Sequence, residues 1–173
     1  SNTSETGLLS SGVNSAQKIF RNAKALEQEV NCTARPLVFT NGCFDILHRG
    51  HVAYLEEAAG LGATLLVALN TDHSIHQLNK GSNRPVNPLE DRMALVAALA
   101  CVDLVTAFDE ATPLELIRRL LPDHLVKGGD WHPEAIVGAD LVTEAGGNVH
   151  SLPFEYERST TELINRLRGP QRS

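Results

Sequence analysis

The stretch Leu37-Val38-Phe39-Thr40-Asn41-Gly42-Cys43-Phe44-Asp45-Ile46-Leu47-His48-Arg49-Gly50-His51 decides the fold. Its first four residues form a continuous, β-rich apolar run that is too short for a helix, as expected of a strand buried on both faces. A glycine-bearing loop follows. From Gly50 the spacing turns helical, with Val52, Leu55 and Ala59 on one face and Gly60 or Gly62 available to end the helix. Strand, loop and helix in this order make the repeating unit of a parallel α/β sheet.

The same alternation continues along the chain. Further buried strands are expected over 64–69, 104–108, 124–127 and 148–152. Helices are expected over 15–30, 72–78, 87–101, 112–121, 134–145 and 159–168, with 15–30 carrying Ile19, Ala23, Leu26 and Val30 on one face. Asn87-Pro88-Leu89-Glu90, Thr112-Pro113-Leu114-Glu115 and Ser159-Thr160-Thr161-Glu162 each read as a side-chain cap with an acidic residue in the first turn. Non-alternating strands separated by helices predict a Rossmann-like, doubly wound, five-stranded parallel sheet with helices on both faces. Ligands then belong beyond the carboxyl ends of the strands, at the topological switch point.

Composition sets bounds on function. The chain has 173 residues, a 42% hydrophobic share and a net charge of -6, which fit one ordinary globular domain. The acidic balance argues against a nucleic-acid coat or a binder of anionic membranes. No apolar run is of membrane-spanning length, and the N-terminus lacks the order of a secretory signal. Cys32, Cys43 and Cys101 show no metal-ligand spacing and read as reduced thiols of a cytoplasmic protein. Residues 1–14 are polar and read as a flexible tail ahead of a single domain over 15–173.

The loop over 41–51 carries the chemistry. Backbone N–H groups at a helix start point outward with partial positive charge and suit an anion. Gly42 and Gly50 allow close approach of a ligand, and His48 and His51 stand at the same helix mouth, able to donate to phosphate oxygens. The loop matches neither the Walker nor the dinucleotide-binding glycine pattern. Two other strand ends reach the same edge of the sheet, at Asn70-Thr71-Asp72 and at Lys127-Gly128-Gly129-Asp130. Arg92 is a cation in the first turn of its helix, where it opposes the dipole; a phosphate or an acidic neighbour would explain it equally well. Asp45 could bind sugar or metal, or brace its own loop. Trp131 could line a sugar pocket or pack. His73, His76, His124, His132 and His150 carry no assignment.

The motif His48-Arg49-Gly50-His51 after Asn41-Gly42-Cys43-Phe44-Asp45 resembles the H-x-G-H loop of cytidylyltransferase-like nucleotidyltransferases. Asn79-Lys80-Gly81 with Arg84-Pro85-Val86-Asn87-Pro88, then Leu125-Val126-Lys127-Gly128-Gly129-Asp130-Trp131, and then Ser159-Thr160-Thr161, narrow it. In order, they resemble the adenylyltransferase domain of bacterial ADP-heptose synthases. Where relatives have Glu-Gly before Ser-Thr-Thr, this chain has Tyr156-Glu157-Arg158. Relatives often carry a sugar kinase ahead of this domain, so the resemblance implies a stand-alone form.

The resemblance implies transfer of AMP from ATP to D-glycero-β-D-manno-heptose 1-phosphate, with pyrophosphate leaving. The nucleophile is an already ionised phosphate oxygen, so positioning and charge stabilisation replace a general base. His48, His51 and Lys80 would be catalytic. Asn41, Gly42, Cys43, Phe44, Gly50, Arg92, Gly128, Asp130, Ser159 and Thr160 would bind nucleotide. Asp45, Lys127 and Trp131 would bind the sugar phosphate. Mg²⁺ would arrive on the ATP phosphates, with no protein metal site. A homodimer is implied, with no nucleic-acid or membrane partner. Two rivals remain: a cytidylyltransferase for glycerol 3-phosphate or another small phosphate, and a non-catalytic nucleotide sensor.

Overall fold

The structure, a computed structural model, describes residues 14–154 and 160–169. Its strands are β1 (Leu37–Gly42), β2 (Thr64–Asn70), β3 (Leu104–Phe108), β4 (His124–Gly128) and β5 (Asn148–Leu152). They form one five-stranded sheet in the order β3-β2-β1-β4-β5, with every pairing parallel. Its helices are α1 (Ala23–Cys32), α2 (Arg49–Ala59), α3 (Asp72–Gln77), α4 (Leu89–Ala97), α5 (Leu114–Leu120), α6 (Ala139–Glu144) and α7 (Thr160–Arg168). The doubly wound expectation is therefore met. The order reverses between β1 and β4, which makes the cleft at their carboxyl ends the switch point.

Alternation along each strand builds two apolar cores. Leu37 and Phe39 of β1, Leu66 and Ala68 of β2 and Leu125 of β4 face one side, where Leu26 and Val30 of α1, Ile117 and Leu120 of α5, and Val142 of α6 cover them. Val38, Leu65, Val67, Leu69 and Val126 face the other side, under Leu55 and Ala58 of α2 and Met93 and Val96 of α4. Tyr54 fastens α2 over the switch point. Its hydroxyl accepts from Thr40 of β1 and donates to the Val126 carbonyl of β4.

Several expected helices are corrected. The segment 15–30 is not one helix: a short 3-10 turn (Ser15–Lys18) precedes a break at 19–22. There Ile19 bridges to Val105 and the Phe20 N–H donates to the Val105 carbonyl, so the chain adds to the β3 edge before Asn22 caps α1. The segment 134–145 is also split. Gly138, at φ 85, starts α6 with Ile117 only 2.8 Å from where a Cβ would sit. Neither α4 nor α5 has the expected side-chain cap, and α4 ends at Ala97 rather than near 101. Asn87 does not cap because its amide donates instead to the Asp45 carbonyl at 2.7 Å.

Candidate active site

β1 ends in Asn41-Gly42, and the chain then turns sharply through Phe44, whose φ of 47 is unusual for a residue with a side chain. The Phe44 ring is buried and lies across Gly42. A Cβ on Gly42 would meet it at 2.9 Å, so only glycine fits beneath that ring. The turn delivers the chain to His48, the N-cap of α2.

Two imidazoles cap this helix reciprocally. The Gly50 N–H donates to His48 Nδ1 at 3.1 Å, and the His48 N–H donates to His51 Nδ1 at 3.3 Å. Each Nδ1 is therefore an acceptor, which puts the proton of a neutral ring on Nε2 and makes that atom a donor. The rings lie 3.9 Å apart, with Phe44 5.4 Å from His51. Burial, helped by the neighbouring His48, pushes the His51 pKa down to about 4. At neutral pH His51 is thus an uncharged Nε2–H donor at a helix start.

Lys80 and Lys127 approach from other elements. Lys80, on the loop between α3 and α4, donates from Nζ to Cys43 Sγ at 3.5 Å. Lys127 stands at the end of β4 with its ammonium 5.8 Å from the centre of the Trp131 ring. Burial lowers the Lys127 pKa and the Lys80 charge lowers it further, with Cys43 partly offsetting both. Two ammonium groups facing one space repel each other until an anion enters.

That space is a cavity of about 190 Å³. Asn41, Gly42 and Cys43 of the first loop, Asn70, Lys80 and Lys127 form its polar part. Leu78, 111–113, Trp131 and 135–137 form its walls and mouth. Trp131 is 49% exposed, placing it as a rim rather than a core residue. The histidines do not line this cavity; they lie at the start of α2, reached through the same Cys43–His48 loop. The sequence placed Asn70 at the ligand edge without giving it a role, and it gave no sign of the apolar walls. Asn70 had a usable signal, being the last residue of β2 at the ligand edge.

Two expected ligand contacts are corrected. Arg92 is 0% exposed and its guanidinium is turned into the protein rather than into the cavity. Its guanidinium donates to the carbonyls of Asn87, Cys43 and Asn70 and to Asp72 Oδ1 at 2.6 Å. The acidic neighbour is the explanation that holds. Asp45 is 2% exposed and accepts from Arg84 Nε at 2.7 Å and from the Val86 and Asn87 backbones. It braces the loop instead of reaching sugar. Burial alone would raise its pKa, but these hydrogen bonds and the Arg84 charge hold it below the usual carboxylate value.

Gly128 and Gly129 complete the β4 end; Gly129 needs its φ of 111, and a Cβ on Gly128 would strike Phe154 at 2.7 Å. Asp130 is exposed beside them. Thr160 begins α7, and Ser159 lies outside the described residues. The charged groups facing the site are nitrogen donors, which suit phosphate oxygens directly and a metal ion only through those phosphates.

Residues 39–166 match the cytidylyltransferase-like family. The chain belongs to that family. It is 59% identical over 134 residues to a D-beta-D-heptose 1-phosphate adenylyltransferase of Bordetella bronchiseptica, covering 78% of this chain and 83% of that protein. It is 52% identical to the bifunctional protein HldE of Haemophilus ducreyi over 84% of this chain but only 30% of that longer relative. Among solved structures, a lipopolysaccharide core biosynthesis protein of Thermoplasma volcanium aligns with a TM-score of 0.56 at 27% identity, covering 70% of this chain and 98% of that one. A pantoate-beta-alanine ligase of Francisella tularensis aligns with a TM-score of 0.60 at 16% identity, covering 83% and 68%, and shares the fold. Among the described residues, no helix is long and apolar enough to cross a membrane.

Proposed function

We propose that the chain transfers AMP from ATP to a heptose 1-phosphate, giving ADP-heptose and pyrophosphate. The observation that carries this reading is the placement of Lys80 and Lys127 around a cavity lined by Asn41, Gly42 and Cys43, which begin the loop that runs to the capped start of α2. The acceptor phosphate is held by the two ammonium groups, and its sugar lies towards the Trp131 rim. The α-phosphate of ATP lies at the start of α2, where the Nε2–H groups of His48 and His51 and the first-turn amides receive charge developing on its oxygens. The nitrogen donors facing the site would meet Mg²⁺ only through the triphosphate, where the ion would supply neutralisation of phosphate charge. An ionised acceptor oxygen then attacks the α-phosphorus in line. No residue need remove a proton.

The name and identity of the Bordetella relative support ATP and heptose 1-phosphate as the substrate pair. The Thermoplasma neighbour supports a product consumed in a surface glycan such as lipopolysaccharide core. The family resemblance further supports a cytoplasmic homodimer, which sedimentation of the purified chain tests. The deciding assay offers ATP or CTP with heptose 1-phosphate or glycerol 3-phosphate and follows pyrophosphate release. Release from ATP with heptose 1-phosphate is expected; release from CTP with glycerol 3-phosphate alone would falsify the reading.

A further inference from the structure

Asn70 ends β2 and lines the cavity between Lys80 and Lys127, yet holding a phosphate there requires donors, not its side-chain oxygen. Its side chain is buried, at 4% exposure, and the groups behind it fix how the amide is turned. The Ser74 hydroxyl donates to the Glu110 carbonyl at 2.6 Å, so its one proton is committed. Towards Asn70 the Ser74 oxygen can only accept, and the Asn70 Nδ2–H donates to it at 3.0 Å. The amide is therefore set with Oδ1 towards Cys43, whose thiol stands 3.8 Å away. A thiol is a weak donor, and at that distance it leaves most of the accepting capacity of Oδ1 unused.

Strand alternation puts this acceptor across the sheet from a cation. Ala68 and Leu125 face the core beneath α1, α5 and α6, and two residues further on Asn70 and Lys127 leave the sheet on that same face. β2 and β4 flank β1, so the two residues stand two strand spacings apart, about 10 Å across the sheet. One side of the cavity thus presents ammonium donors and the other a fixed, buried acceptor. A sugar phosphate has the matching polarity, because its ionised phosphate accepts hydrogen bonds while its hydroxyls can donate them.

We propose that Asn70 Oδ1 accepts a hydrogen bond from one hydroxyl of the sugar 1-phosphate and selects the acceptor by that hydroxyl. This rests on the adenylyl-transfer reading, in which Lys80 and Lys127 hold the acceptor phosphate. Asn70 takes no part in the displacement. Its effect is on specificity: a site built to pair with a hydroxyl rejects an analogue that lacks it, because the buried acceptor is then left unmatched.

Calorimetric titration of the full chain with heptose 1-phosphate and its monodeoxy analogues, without nucleotide, tests this. Wild type should bind the analogue missing the contacted hydroxyl about tenfold more weakly than the parent sugar phosphate. Asn70→Ala should lose a similar factor with the parent and with every other analogue, but should bind that one analogue at least as tightly as wild type does. A uniform loss across all analogues means that the variant only distorts the cavity, and it overturns the proposal. Equal affinity of wild type for the parent and all its monodeoxy analogues overturns it without any variant, as does a failure of wild type to bind the parent. Weaker binding of ATP by Asn70→Ala with the sugar phosphate unaffected gives Oδ1 to the adenine amino group and overturns it too. If the analogue pattern appears but no AMP reaches heptose 1-phosphate, the hydroxyl contact stands and the adenylyl-transfer reading falls.

Discussion

The backbone N–H of His48 donates to Nδ1 of His51 at 3.3 Å, so the second imidazole holds the N-cap residue of its own helix in place. That bond fixes the His51 tautomer and directs its proton to the distal nitrogen. It also separates two roles that a histidine can combine. Asn can imitate the Nδ1 acceptor and Gln the Nε2–H donor. His51→Ala should lower kcat about 10²- to 10³-fold, the scale of one lost donor at a developing charge. His51→Gln should recover part of kcat, and His51→Asn should recover stability without kcat. Steady-state kinetics beside urea unfolding read the two columns separately. A kcat close to wild type in all three variants would remove His51 from the chemistry.

The depressed pKa of His51 gives a pH dependence with a definite sign. The folded group titrates at about 4 and the unfolded one near 6.5. Above pH 6.5 both states are neutral and the group contributes no slope. Between 6.5 and 4 the unfolded chain takes up a proton that the folded chain refuses, so stability falls as pH falls, by at most about 1.4 kcal/mol per pH unit. Burial also lowers the His150 pKa, so that residue adds to the slope in the same direction. Urea unfolding at pH 7 and pH 5 should therefore show wild type losing more stability than His51→Gln. An identical pH 7-to-5 loss in the two proteins contradicts the assignment.

The strands were legible because a parallel sheet covered on both faces makes each one a continuous apolar run, and Leu37–Phe39, Leu65–Leu69 and Leu104–Val105 carry that pattern without help from context. The helix interruptions were not, because their causes are tertiary: Ile19 leaves its helical register to pair with Val105, and Gly138 turns where Ile117 leaves no room for a side chain. The glycine and histidine pattern of the first loop announced a helix-start anion site. The partner of Arg92 could not be read, since Asp72 and three carbonyls converge on it only after β1 and β2 are paired. The cavity walls at 111–113 and 135–137 are largely apolar and carry no chemical signature in one dimension.

Asp45 and Arg92 together make the loop bearing Lys80 part of the rigid sheet edge. Removing one partner of a buried, hydrogen-bonded ion pair leaves the other charge uncompensated. Asp45→Ala strands Arg84 and two backbone donors, so it should cost about 3 kcal/mol of stability, measured by urea denaturation. Arg92→Ala should cost a similar amount, because three carbonyls lose their donor, although the exposed Asp72 can be rehydrated. Arg92→Lys should recover little, since one ammonium cannot reproduce a fork that spans four acceptors. Both alanine variants should also raise the KM for the sugar phosphate through misplacement of Lys80. A stability loss below about 1 kcal/mol for Asp45→Ala would mean that the loop is not braced this way.

Lys127 offers the sharpest test of the acceptor cavity. Its ammonium is partly buried and faces Lys80 across a cavity whose described lining holds no carboxylate. Such a lysine destabilises the empty protein slightly and is compensated when a phosphate binds. Lys127→Met keeps the aliphatic stem over Trp131 but removes the charge. It should therefore leave stability unchanged or raise it by up to about 1 kcal/mol, while the KM for the sugar phosphate rises roughly tenfold to a hundredfold. The KM for ATP should move much less, because the α-phosphate is received at the start of α2. Thermal unfolding and initial rates with each substrate varied in turn give all three quantities. A larger effect on ATP than on the sugar phosphate would exchange the two subsites and place the nucleotide, not the acceptor, between Lys80 and Lys127.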